Sequence, residues 1–164
     1  MVASGLCHSD EHMRHGDVRP GFPIIGGHEG AGSVEEVEPG VTRVTPGDPV
    51  VSSFIPACGR CRWCATGHSN LCDLGASIQE GCLPGGRFVF HRHGDDYGAL
   101  GTVATFSQYA TVSEYSLIKI ATDIPLDRAA IVACGVPTGW GSAVYAADVE
   151  PGDTIAIFGS GLSV

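Results

Sequence analysis

The chain has 164 residues, 43% of them hydrophobic and 16% charged, with a formal net charge of −9. That length supports one domain with a real core, burying roughly 68–70% of its unfolded surface, and excludes two full domains of ordinary size. An acidic chain gains nothing from a phosphate backbone, and no apolar run reaches the roughly 20 residues of a membrane helix, so neither nucleic acid nor a membrane is an expected partner.

The 24 glycines and 10 prolines cut the chain into short runs, which favours strands and turns over long helices. Gly5–Met13 is polar, and a short helix is predicted from Ser9 onward, because Ser and Asp are good N-caps. Pro20 and Pro23 then lead into a loop, Gly26-Gly27-His28-Glu29-Gly30-Ala31-Gly32. Ser33–Val37 and Asp48–Phe54 read as strands, with turns at Pro39-Gly40 and Pro46-Gly47-Asp48. Residues 57–86 form a Cys- and Gly-rich lobe with little apolar periodicity, so something other than a core must hold it. Phe106–Val112 and Tyr115–Ile120 are predicted strands, and 125–134 a short helix ending near Cys134. Thr138 is a predicted cap for a second helix through Ala147. Pro151-Gly152-Asp153 is a turn, and Thr154–Phe158 a buried apolar strand leading to Gly159-Ser160-Gly161. Short strands first, then helix, helix and a strand before glycines, describe an irregular, mainly β domain with short helices over 1–150. The first strand of an α/β domain follows over 151–164.

Cys58, Cys61, Cys64 and Cys72 follow the pattern C-x2-C-x2-C-x7-C. Four thiolates can surround Zn²⁺ tetrahedrally, and a closed four-sulfur site has no open position, so its role would be structural. Two disulfides, or an iron–sulfur cluster with its similar C-x2-C-x2-C start, are the competing readings. The absence of an apolar leader and the tight clustering favour metal ligation in a reducing compartment. A second set is scattered: Cys7, His28 and Cys134. Two thiolates and an imidazole make a catalytic zinc set with one open position, although spacing alone cannot join residues so far apart. Asp10 and Glu29 are candidates to steady the ligands, and Ser9 to relay a proton from a bound alcohol. Cys82 reads as a free thiol. His12, His15, His68, His91 and His93 read as surface histidines, Asp95-Asp96 as a solvated loop, and Trp63 and Trp140 as packing residues.

Gly-Leu-Cys-His-Ser-Asp, Gly-Gly-His-Glu-Gly-Ala-Gly, the four-cysteine lobe and Ala-Cys-Gly-Val-Pro-Thr-Gly occur here in the order seen in zinc-containing medium-chain alcohol dehydrogenases. The chain resembles that family over its whole length. Cys-Arg-Trp-Cys-Ala-Thr-Gly and Thr-Phe-Ser-Gln-Tyr-Ala look most like the bacterial nicotinoprotein-type enzymes, which hold NAD tightly, and class III formaldehyde dehydrogenases are also similar. The resemblance implies a GroES-like irregular β-barrel domain followed by a Rossmann domain for NAD. It implies a cytoplasmic oxidoreductase acting on an alcohol or aldehyde, and a homodimer or homotetramer. It places Cys7, His28 and Cys134 on a catalytic zinc, the four-cysteine lobe on a structural zinc, and Ser9 at the head of the proton relay. Asp10 and Glu29 would be the supporting carboxylates. His8 and Thr138 would touch the cofactor, Gly159 and Gly161 would begin its glycine-rich turn, and Phe54 would line the alcohol pocket.

The family has further strands before the first of these cysteines, and its cofactor fingerprint needs G-x-G-x-x-G opening a helix, where this sequence has Gly159, Gly161 and Val164. The expectation is therefore a truncated chain with open sheet edges, poor solubility and little dehydrogenase activity alone. A zinc-stabilised module without catalysis and a functionless remnant of a truncated gene are the alternatives.

Overall fold

A backbone turn at a cysteine starts the first helix of the computed structural model, which describes residues 1–21, 23–76 and 78–158. Strand β1 (Ala3–Gly5) leads to Cys7, the N-cap of helix α1 (His8–His15). The Asp10 carboxylate accepts the Cys7 amide at 3.1 Å, and the helix closes at Gly16 in the left-handed conformation. The cap is thus Cys7, and the predicted Ser9 cap is corrected: Ser9 lies one residue inside the helix. The Asp10 carboxylate takes the cap's own amide, which fixes the start at Cys7.

Strands β2 (Ile24–Ile25), β3 (Glu29–Ser33) and β4 (Pro49–Ser52) follow. Helix α2 (Arg62–Ala65) lies in the cysteine lobe, followed by short 3₁₀ turns. Then come β5 (Phe90–Arg92), β6 (Asp95–Ala99), β7 (Leu117–Lys119), α3 (Leu126–Ala129) and α4 (Gly135–Trp140). One sheet has the order β1-β3-β4-β7, antiparallel throughout; the other has β2-β6-β5, with β2 parallel to β6. Ala31 and Val51 of the first sheet pack on Ala129, Ala130 and Ala133, with Ala3, Ile120 and Leu126 around them. This small-residue core sets the end of α3, and therefore Cys134, directly over the sheet that carries Glu29 and leads from His28. The mainly β architecture with few short helices is the one expected.

Several boundaries differ from the sequence reading. More than half of the expected glycine loop, from Glu29 on, is strand β3, while 34–37, expected as a strand, is not one. A glycine-rich segment looks like a loop, but a side chain at Gly30 would collide with Thr105 and one at Gly32 would crowd Met1, so the bare backbone helps this strand pair. Residues 106–112 make no strand, because no described strand lies beside them. Asp95 and Asp96 open strand β6, although their side chains are exposed as expected. Helix α4 starts at Gly135, so Thr138 is inside it and is no cap; a π-helical stretch, Gly141–Ala146, continues it. Trp140 is 61% exposed among the described residues.

Residues 154–158 form no strand, and Ile157 and Phe158 are 73% and 93% exposed. A strand needs neighbours for its backbone groups and a surface for its side chains, and no described element supplies either. Gly159 and Gly161 lie outside the described residues. Among the described residues no single helix is long and apolar enough to cross a membrane.

Candidate metal centres

The four cysteines of the lobe come together. One sulfur from each of Cys58, Cys61, Cys64 and Cys72 lies within 4.8 Å of all the others. The local backbone explains why. Cys61 caps α2, and its sulfur accepts the Cys64 amide at 3.5 Å. The Cys58 sulfur accepts the Cys61 amide at 3.3 Å, and the Cys72 sulfur the Cys58 amide at 3.4 Å. Gly59 and Gly67, both at positive φ, allow the tight turns. Amides aimed at sulfur favour thiolates: the Cys64 amide leads in pulling the Cys61 thiol down to about 6. Burial, in contrast, pushes the Cys64 thiol up to about 12. Four sulfurs crowded together without a disulfide fit a tetrahedral metal, which compensates their charge and holds a lobe lacking its own core.

The scattered set also converges. Donor atoms of Cys7, His28, Glu29 and Cys134 lie within 4.8 Å of one another. Cys7 comes from the start of α1, His28 and Glu29 from the entry to β3, and Cys134 from the end of the segment after α3. Gly27 makes the His28 turn possible. Its φ is +86°, and a Cβ there would stand 2.6 Å from the Phe106 amide and 2.7 Å from Thr105 Oγ1. His28, Glu29 and Asp10 are all buried. The Asp10 carboxylate accepts the Gly27 amide at 2.9 Å as well as that of Cys7, so one side chain ties together two ligand-bearing segments. His28 Nδ1 is buried without a hydrogen bond, 3.7 Å from Asp10. Burial leads in pushing the Cys134 thiol up to about 11, with the neighbouring Cys7 and Glu29 adding to the rise and the Thr138 hydroxyl opposing it.

A polar atom this deep costs free energy unless paired, and His28 Nδ1 has no hydrogen-bond partner. Two thiols, an imidazole and a carboxylate are the donor chemistry of zinc. The residues therefore fit a metal ion.

The remaining expected residues distribute as follows. The Ser9 hydroxyl is 3.6 Å from the Cys7 sulfur, and the Thr138 hydroxyl 3.7 Å from the Cys134 sulfur. Phe54 stands edge-on to His28, ring centroids 5.6 Å apart. Gly101, at φ +58°, lets the backbone pass there, since a Cβ would meet that of Phe54 at 2.7 Å. His8 packs edge-on against His12, 4.6 Å between centroids. Glu29, expected only as a support, has its carboxylate within the cluster itself. Phe106, counted in the sequence as a strand residue, instead lies against Gly26 and Gly27 beside the cluster. Two bare glycines before His28 are the signal that could have pointed to a close aromatic neighbour. Cys82 is a buried free thiol, as expected.

Residues 1–122 match the family model described as the alcohol dehydrogenase GroES-like domain. The chain is 58% identical over 160 residues to the NDMA-dependent alcohol dehydrogenase of Amycolatopsis methanolica, covering 98% of this chain and 43% of that protein. It is similar to the crystal structure of an alcohol dehydrogenase zinc-binding domain protein from Burkholderia ambifaria, with a TM-score of 0.79 and 33% identity over 88% of this chain and 40% of that one. The benzyl alcohol dehydrogenase of Acinetobacter calcoaceticus gives a TM-score of 0.72 and 30% identity, covering 92% and 40%. The chain thus spans less than half the length of the relatives it matches. With both cysteine clusters and the fold in place, the match over 1–122 settles the ancestry: this chain belongs to the alcohol dehydrogenase GroES-like domain family.

Proposed function

We propose that this chain is the zinc-binding catalytic part of an alcohol dehydrogenase, oxidising an alcohol to an aldehyde or ketone with NAD as hydride acceptor. The observation that carries the reading is the convergence of Cys7, His28 and Cys134 from three distant segments. A second metal is proposed for the four-cysteine lobe, in a structural role. When bound at the first centre, zinc supplies Lewis acidity that makes an alcohol hydroxyl easier to deprotonate.

The chain's own residues do the rest. Cys7, His28 and Cys134 would hold the ion, and Asp10 fixes the backbone of the segments that carry the first two. Glu29 supplies a negative charge beside them. Ser9, exposed and next to the Cys7 sulfur, takes the hydroxyl proton and passes it outward. Phe54 offers an apolar wall for the carbon chain of the alcohol, next to His28. Thr138 would stand beside the nicotinamide, His8 would meet the pyrophosphate, and Gly159 and Gly161 would open the cofactor turn of a Rossmann domain starting near 151. Cytoplasmic location and a homodimer or homotetramer complete the reading by family likeness.

The relative from Amycolatopsis methanolica depends on NDMA by name, which makes that compound the second acceptor to try. Benzyl alcohol is the substrate to try first, from the name of the Acinetobacter protein. The test is aldehyde formation with NAD or NDMA by the zinc-loaded chain joined to the cofactor domain of such a relative, against the same protein with His28→Ala. Turnover lost in the variant supports the reading, and turnover unchanged in it contradicts the assigned site. A non-catalytic zinc module is the second reading, favoured by the four-cysteine lobe assembling without residues of the other cluster. Absence of turnover in a protein that holds zinc at both centres and carries the cofactor domain would favour it.

A further inference from the structure

The segment 100–106 doubles back on itself behind the first metal centre. Gly101, Thr102 and Ala104 all take left-handed φ values, +58°, +60° and +46°. Glycine does so freely, whereas a branched threonine does so only where its surroundings hold it there. The surroundings here are closed. Residues 101–105 are all buried, Thr102 and Val103 wholly so. The Leu100 carbonyl accepts the Val103 and Ala104 amides, each at 3.1 Å, and the Ser107 hydroxyl donates to the Ala104 carbonyl at 2.7 Å. The Thr102 hydroxyl has no hydrogen-bond partner among the described residues. A left-handed branched residue and an unpaired buried hydroxyl both count against stability, and both fall on this one side chain.

Both ends of the segment bear on His28. On one side of Thr102, Gly101 passes so close that a Cβ on it would stand 2.7 Å from Phe54 Cβ and 3.4 Å from His28 Cβ. On the other side, the Thr105 amide donates to the Gly27 carbonyl at 2.9 Å and the Phe106 amide to the Gly26 carbonyl at 3.2 Å. Asp10 holds the Gly27 amide, and the Ser52 hydroxyl donates to the His28 carbonyl at 3.2 Å. The backbone that carries the imidazole is thus tied to α1, to β4 and to 105–106, and Thr102 is the residue at which the chain between Gly101 and Thr105 reverses.

We propose that Thr102 is a positioning residue for the first metal centre: held in the left-handed conformation, it locks the reversal at 101–105 against Phe54 and the Gly26–His28 turn, and so fixes where the imidazole points. This rests on the reading of Cys7, His28 and Cys134 as the ligands of that centre. Thr102 touches neither the metal nor a substrate; it acts through the segment it closes. A branched side chain narrows the backbone to one conformation, and the packing around it selects the left-handed one. Glycine or asparagine at 102 accepts that conformation with little strain but also accepts others, so the reversal can relax away from His28. Residues that orient a metal ligand without touching the metal set its affinity as well as its geometry.

The test loads the protein with Co²⁺, whose visible absorption reports ligand geometry, and follows affinity by competition with a chelator. Bands missing in Cys7→Ala belong to the first centre, and bands missing in Cys61→Ala to the four-cysteine lobe. In Thr102→Gly the first set should shift and its Co²⁺ should be held about tenfold more weakly, while the lobe's bands and affinity stay as in the parent. Thr102→Asn, which keeps a side chain in the buried space, should show the same change and serves if the glycine variant does not fold. Urea midpoints of the metal-free proteins separate positioning from plain destabilisation. Unchanged bands and affinity at the first centre, in a folded variant, would overturn the proposal. So would weakening at both centres in step with a lower urea midpoint, because Thr102 would then serve the fold alone. A parent without Cys7-dependent bands would instead overturn the reading of the site itself, and this proposal with it.

Discussion

His28 Nδ1 and Asp10 Oδ2 lie 3.7 Å apart, both side chains buried, and the imidazole nitrogen has no hydrogen-bond partner. The same carboxylate accepts the amides of Cys7 and Gly27. Asp10→Ala leaves those amides without acceptors and removes the imidazole's charged neighbour. The expected loss of stability is roughly 2–3 kcal/mol, and zinc affinity at this centre should fall about 10- to 100-fold. Urea unfolding and zinc competition with a chelator measure the two effects separately.

Gly27 stands where only glycine fits. Gly27→Ala would put a Cβ against the Phe106 backbone at a φ of +86°. Destabilisation on the order of 2–4 kcal/mol is expected, with zinc lost from the adjacent centre before the four-cysteine lobe is affected. Denaturant midpoints alongside zinc content would show it; a variant as stable as the parent would mean that the His28 turn is not held this way.

Removing the metal should loosen the cysteine lobe first, because it has little core. Amide exchange is expected to rise at Cys61 and Cys64, whose N–H groups donate to sulfur, while the β3–β4 ladder keeps its protection. In the stripped protein the Cys61 thiol, held near 6 by its amide donors, should gain alkylation rate as pH rises through that value. Cys64, pushed up to about 12, should stay unreactive at neutral pH. Mass spectrometry after iodoacetamide treatment distinguishes the two.

Asp48 links β4 to β7. Lys119 lies 2.6 Å from its carboxylate, which also accepts the Thr45 amide, and these contacts hold the group below the usual carboxylate range. A depressed carboxyl contributes stability at pH above its unfolded value, about 3.9, and that contribution is lost as pH falls through the lower folded value. An Asp48→Asn variant should therefore lose less stability than the parent between about pH 4 and pH 2, read from thermal midpoints across that range.

The compact four-cysteine lobe was legible in the sequence because its ligands lie within one loop, where spacing is a physical constraint. Cys134 was not, because nothing in its own neighbourhood encodes a distance to Cys7 or His28. Only the order of motifs in a known family joined them. Strand β3 was hidden because Gly30 and Gly32 carry no side-chain pattern, and their fitness depends on Thr105 and Met1 on other segments. Strands β1, β2 and β5, with two or three residues each, are too short to show alternation. At 106–112 and 154–158 the pattern was present and the strand was not, because side-chain preference cannot supply the neighbouring backbone that a strand requires.

Zinc per chain, measured by elemental mass spectrometry on the purified protein and on its Cys7→Ala and Cys61→Ala variants, tests the central claim most directly. The account predicts an ion at each centre, with Cys7→Ala losing one and Cys61→Ala losing the other. A single zinc, unaffected by Cys7→Ala and lost in Cys61→Ala, would contradict it, since the cluster of Cys7, His28 and Cys134 would then hold no metal.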